Sequence, residues 1–176
     1  MIALGIDPGI TRENPVGAAL VRWPLGEASP VLLGAATLRP VGSEPLALFL
    51  GRLGLRLRTD WLNNVELAGV EWPYIGENPQ SALDLAACCG VVLGAAGEAG
   101  IRCLQVSPAQ AKLALAGRGS ATKQMMIDAA HQQFGRALVK DAADAVGIAL
   151  AALVEARRAV QLPLPKRPVR TKTKKG

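Results

Sequence analysis

Apolar positions in this chain recur with two different spacings, and the spacing changes along its length. Residues 2–6 form a short, almost wholly apolar run closed by Asp7-Pro8-Gly9, the pattern of a buried central strand that ends in a turn. Residues 16–23 and 31–38 read as the next two strands. Pro24-Leu25-Gly26 and Ser29-Pro30 punctuate the interval between them, which predicts an antiparallel meander. Leu46, Leu48, Phe49, Leu50, Leu53, Leu55, Leu57 and Leu62 then recur among arginines, predicting a helix over 45–62 with Ser43 or Glu44 near its start. Residues 66–71 form a short strand that, like the first, ends on an acid.

Asn78-Pro79 is a strong helix start, with Asn as N-cap and Pro at the first helical position. The helix predicted from there to about residue 97 is apolar nearly all round. A helix without a polar face is buried on several sides, and in a domain this small that points to a subunit interface. Residues 102–106 are a further strand, and Ser107-Pro108 opens a short helix through about residue 115. Gly117-Arg118-Gly119-Ser120 is a loop, with Ser120 placed to cap a helix over 121–134. A last helix covers 141–160, and Pro163, Pro165 and Pro168 hold the remaining residues in an extended tail. The order β-β-β-α-β-α-β-α-α-α predicts an α/β fold, a mixed five-stranded sheet flanked by helices. Residues 1–160 form one domain in this reading, and 161–176 a basic, disordered tail.

Composition narrows the picture. With 176 residues, half of them hydrophobic, one compact core is expected. The first acid, Asp7, comes too early for a signal peptide, and the uncharged run 85–97 is short of a membrane span. Cys88, Cys89 and Cys103 show no CxxC spacing, so they read as buried free thiols in a reducing compartment rather than a zinc site. These features together predict a soluble cytoplasmic protein without a membrane partner. The net charge of +6 resides in the tail, where six Lys/Arg from Lys166 onward meet no acid and the other 14 basic residues match the 14 acids. Within the balanced part, Arg102, Lys112, Arg118, Lys123, Arg136 and Lys140 face Asp128 alone over 102–140, a pattern suited to a polyanion.

Four acids carry the candidate chemistry. Asp7 and Glu71 each end a predicted strand, where ligand sites of open α/β sheets lie. Asp141 and Asp144 stand three apart at the head of the last helix and share a face of it. The positive end of the helix dipole would favour acids there without any function. Brought together, however, these carboxylates would repel unless divalent cations neutralised them, and hard oxygen ligands suit Mg²⁺ or Mn²⁺. Two ions about 4 Å apart could activate water and stabilise the leaving oxygen in phosphodiester hydrolysis.

Gly5-Ile6-Asp7-Pro8-Gly9-Ile10-Thr11 resembles the opening of the RuvC family of Holliday junction resolvases. Val70-Glu71-Trp72-Pro73-Tyr74, followed by Asn78-Pro79-Gln80-Ser81-Ala82-Leu83, resembles that family's second acidic motif and the helix behind it. The stretch from Ala111-Lys112 through Gly117-Arg118-Gly119-Ser120-Ala121-Thr122-Lys123 resembles its third block, and Asp141-Ala142-Ala143-Asp144-Ala145 its last. The matches run in order over residues 2 to about 153. The resemblance implies an RNase H-like fold, a homodimer and symmetric nicking of four-way DNA in recombination and repair, with a cytoplasmic, nucleoid-associated location. It assigns metal-binding catalytic roles to Asp7, Glu71, Asp141 and Asp144, with two Mg²⁺ (or Mn²⁺) ions per site. It places DNA contacts on Tyr74 as an aromatic wedge and on Lys112, Arg118 and Lys123, and it makes a branch-migration helicase a candidate partner.

The chain also departs from the family pattern. Arg12-Glu13-Asn14-Pro15 follows Thr11 where the family usually turns directly into its second strand, and Trp72-Pro73 is an unusual pair beside the second acid. The basic tail lies outside the resemblance. One competing reading is a branched-DNA-binding protein without nuclease activity, which would gain nothing from four acids. Another rests on Gly5-Ile6-Asp7-Pro8-Gly9, also reminiscent of sugar-kinase and actin-like ATPases, whose second phosphate-binding lobe this length can scarcely hold. His131 with Asp128 reads as a surface pair, and Glu66 and Glu77 as residues outside the site.

Overall fold

A computed structural model describes residues 1–24, 26–73 and 79–161. The sheet follows the strand order β3-β2-β1-β4-β5. Its strands are β1 (Ile2–Asp7), β2 (Val16–Arg22), β3 (Val31–Leu38), β4 (Leu67–Glu71) and β5 (Arg102–Val106). β1, β2 and β3 pair antiparallel as the turn residues predict, while β4 and β5 add in parallel on the other side of β1. The central strand is therefore the most apolar one, with residues 3–6 all buried.

The helices α1 (Leu46–Arg56), α2 (Pro79–Glu98), α3 (Pro108–Ala116), α4 (Lys123–Phe134) and α5 (Lys140–Gln161) cover the two faces unequally. On one face Leu4, Ile6, Val16 and Val70 pack with Phe49, Leu53 and Leu57 and with Cys88, Cys89 and Val92 of α2. On the other, Ala3, Ala19, Val21 and Leu67 meet Met126 and Ala130 of α4 and Ala145, Ala149 and Leu153 of α5. The residues on this second face are small for a reason. A side chain on Gly5 would collide with the Ala145 carbonyl and come to 2.9 Å from the Ala149 methyl, and one on Gly17 would collide with the Asp141 carbonyl. Glycine and alanine let α5 lie directly on the strands, and that close approach fixes where its first turn falls.

The boundaries differ from expectation in physically readable ways. The helix expected over 45–62 is α1 followed by a π-helical turn, Leu57–Trp61, closed by the Leu62 N–H donating to the Leu57 carbonyl at 2.9 Å. Neither Ser43 nor Glu44 caps α1. Glu44 instead binds the Arg52 guanidinium through both oxygens, at 2.8 and 2.6 Å. Thr122, not Ser120, caps α4, its Oγ1 accepting from the Met125 N–H. Ser107 behaves as expected, forming a reciprocal capping box with Gln110 ahead of α3. At 20 residues α2 exceeds the uncharged run 85–97, and by length and composition alone it could cross a membrane. Its Cys88, Cys89, Val92, Ala95 and Ala96 are nevertheless buried in the body of the fold. Cys88 and Cys89 are buried free thiols, as expected, whereas Cys103 is free but only half-buried.

Candidate active site

Strand parity decides which way the acids point. Ala3, Gly5 and Asp7 alternate onto the α5 face of β1, and Leu67, Gly69 and Glu71 onto the same face of β4. Gly5 pairs with Gly69 and Ile6 with Val70, so Asp7 and Glu71 are neighbours at the carboxyl ends of two parallel strands. The first turn of α5 lies over those ends. Asp141 precedes Ala145, which sits on Gly5, and Asp144 precedes Ile148, which sits on Gly69. One turn of helix thus carries Asp141 toward β1 and β2, and Asp144 toward β4.

Asp7, Glu71 and Asp144 line one cleft of about 280 Å³, together with Lys112, Lys123 and Asn14. Pro8, Trp72, Pro73, Leu85, Pro108 and Ala111 also line it. Asp141 is 2 % exposed and lies behind the cleft rather than on it, its Oδ1 3.5 Å from the Lys140 ammonium. Asp141 still acts on its neighbours, raising the proton affinity of both Asp7 and Asp144. Among the described residues, no three His, Cys, Asp or Glu side chains are drawn together tightly enough to cage an ion as they stand.

The electrostatics record the crowding. Burial, then Glu71, Asp144 and Asp141, push the Asp7 carboxyl up to about 8, against the opposing pull of Lys123. Burial and Asp144 push Glu71 up to about 7, with Lys112 and Lys123 opposing. Asp144 is also raised, first by burial and then by Asp141, while Lys123, Lys112 and Lys140 pull it down. Two half-buried carboxyls that resist ionisation near neutrality mark a site where the negative charge of the ionised acids would exceed what the two lysines compensate. A hard, doubly charged cation fits that donor set, and nothing softer does, since no His or Cys lines the cleft among the described residues.

Lys123 is the first residue of α4. A cation there opposes the helix dipole at a cost of about 0.3–1 kcal/mol, so local helix energetics do not account for it. Lys112 projects from α3, which the Ser107 capping box and Pro108 set at the end of β5. Arg118 lies apart, exposed in the loop after α3 with its Nη2 3.4 Å from the Ser120 hydroxyl, and does not line the cleft. Tyr74, Glu77, Asn78 and the tail 162–176 lie outside the described residues. His131 is exposed on α4, and Asp128 accepts from Gln124 at 2.8 Å. Glu66 accepts the Ile2 N–H at 2.7 Å at the opposite end of the sheet. Sequence reasoning marked residues 12–15 as a departure but did not single out Asn14 as a wall of the cleft.

A mixed sheet in this order, with acids at the carboxyl ends of its two central parallel strands, defines an RNase H-like α/β protein. Residues 3–152 match the family model of the crossover junction endodeoxyribonuclease RuvC. A RuvC of an Anaeromyxobacter species (strain Fw109-5) is 36% identical over 168 residues, covering 94% of this chain and 78% of that protein. A RuvC of Chloroflexus aurantiacus is 34% identical over 153 residues, covering 85% of this chain and 91% of its own. The structure of Thermus thermophilus RuvC in complex with Holliday junction substrate superposes with a TM-score of 0.79 at 31% identity, covering 90% of this chain and 96% of that one. The chain belongs to the RuvC family.

Proposed function

We propose that this chain is a Holliday junction resolvase, an endodeoxyribonuclease that nicks a four-way DNA junction by hydrolysing phosphodiester bonds. The observation that carries the reading is the cleft itself, where Asp7, Glu71 and Asp144 face Lys112 and Lys123. Divalent cations entering such a cleft would displace the protons, neutralise the carboxylates and draw a phosphate strand in. Bound Mg²⁺ or Mn²⁺ would supply an activated water and charge stabilisation at the leaving oxygen. Asp7, Glu71 and Asp144 are the direct ligands in this reading, and Asp141 completes the set from behind. The ammonium groups of Lys112 and Lys123 grip the phosphate that is cut and offset the charge that builds on it in the transition state. Arg118, Tyr74 and the basic tail engage the flanking arms, Tyr74 by stacking on a base freed at the crossover.

The outward face of α2 supports a homodimer. Leu83 is 64% exposed, and beside it Ala86, Ala87, Gly90, Gly94 and Gly97 offer a smooth apolar strip while the opposite face is buried. A two-fold axis at that strip would present two clefts to the two like strands of a symmetric junction. The test is cleavage of labelled four-way, three-way and linear DNA with and without Mg²⁺. Paired nicks in the four-way substrate, dependent on the metal, are expected. Tight junction binding with no cut under any divalent ion would make the chain a binder only.

A further inference from the structure

The loop between β1 and β2 forms a rim of the cleft to which the resolvase reading gives no task. It is closed on itself, the Thr11 N–H donating to the Asn14 carbonyl at 3.1 Å and the Asn14 N–H to Thr11 Oγ1 at 2.9 Å. It is also braced from outside. Arg39 Nη1 donates to the Arg12 carbonyl at 3.1 Å, Arg52 Nη2 donates to the Arg39 carbonyl at 2.8 Å, and Glu44 anchors Arg52. The rim therefore has a fixed shape before any DNA arrives, as a residue that discriminates between substrates requires.

Pro8 and Asn14 are the positions of this loop that line the cleft beside Asp7, and Asn14 is the one with a polar side chain. Its backbone holds the loop together, whereas its carboxamide has no partner among the described residues. Among the described residues, the other polar side chains lining the cleft are three carboxylates, two ammonium groups and the Trp72 indole. Phosphate oxygens only accept hydrogen bonds, and Lys112 and Lys123 already supply donors for them. A carboxamide offers a donor and an acceptor side by side, which matches the edge of a base and exceeds what a phosphate can use. Resting on the resolvase reading, we propose that Asn14 hydrogen-bonds the edge of a base next to the phosphate that is cut, and so sets part of the sequence preference of cleavage.

The experiment compares wild type with Asn14→Ala and Asn14→Gln on four-way junctions that differ only in the base pairs flanking the cut. Cleavage rates and junction affinities are measured for each. Wild type should favour some sequences. Asn14→Ala should lose about tenfold in kcat/KM on the favoured ones, little on the disfavoured ones, and nothing in overall affinity. Asn14→Gln, whose carboxamide reaches farther, should reorder the preference. Asn14→Ser replaces the alanine variant if its melting temperature falls. An equal loss on every sequence, an unaltered preference, or a wild type that cuts all sequences alike would overturn the inference and leave the resolvase reading standing. A wild type that cuts no junction would overturn both.

Discussion

The main-chain carbonyl of Asp141 occupies the space that a side chain on Gly17 would need. The helix that delivers two of the four acids is thereby seated on the second strand at the residue that bears one of them. Gly17→Ala must push the first turn of α5 off the sheet, a form of overpacking that costs about 1–3 kcal/mol. The melting temperature should fall by several degrees, about 2–4 °C per kcal/mol for a chain of this size. Junction cleavage, measured well below the melt, should fall further than the folded fraction explains. Wild-type rates in a destabilised Gly17→Ala protein would separate the seat of the helix from the chemistry.

Proton affinity in the cleft makes stability depend on pH with a definite sign. Asp7 is raised from an ordinary 3.8 to about 8 and Glu71 from 4.5 to about 7. Between those limits the folded chain binds more protons than the unfolded one, so the metal-free protein loses stability as pH rises from about 4 to 8. Thermal melts in a chelator should show that decline, and Asp7→Asn should remove much of it. Added Mg²⁺ should restore stability more at pH 8 than at pH 6, because ions and protons compete for the same oxygens. A flat profile, shared by wild type and Asp7→Asn, would show that these carboxyls are not crowded.

Lys123 opposes the raised proton affinity of Asp7, Glu71 and Asp144 alike. Lys123→Ala should lower the cleavage rate about 100-fold, the scale for removing one charge-stabilising donor. The acidic limb of its pH–rate profile should also move to higher pH, since the acids then hold their protons more tightly. Lys123→Arg keeps the charge and should keep the limb in place. An unmoved limb in the alanine variant would place Lys123 outside the electrostatics of the cleft.

A side chain added at Gly90 or Gly94 meets nothing within 4 Å. Gly90→Glu should therefore leave the subunit folded while placing a charge on the apolar strip of α2. Sedimentation should report a dimer for wild type and a monomer for the variant, with the two nicks no longer paired. An unchanged mass would remove α2 from the interface.

Much of this was readable in the chain because the acids stand at element boundaries that local chemistry sets. Asp7 closes an apolar run, Glu71 ends a strand, and Asp141 opens a helix whose alanines leave it only one way to pack. The separate positions of Asp141 and Asp144 were less legible. Spacing puts both on one face of a helix, but only the contacts with Gly5, Gly17 and Gly69 determine that one is buried and the other lines the cleft. The placing of Asn14 on the cleft was also less legible, because the loop that carries it is braced by Arg39, which donates to the Arg12 carbonyl 27 residues away, and no local pattern encodes that contact. The π-helical turn at Leu57–Trp61 was hidden for a similar reason, since its leucines keep a helical spacing while the hydrogen bonds lengthen by one residue.

The central claim is that these carboxylates exist to hold the ions that cut DNA, and the nicking rate of Asp7→Asn on a four-way junction in Mg²⁺ tests it most directly. The variant should bind the junction as tightly as wild type and leave every strand intact. Nicking at a rate near that of wild type would contradict the account.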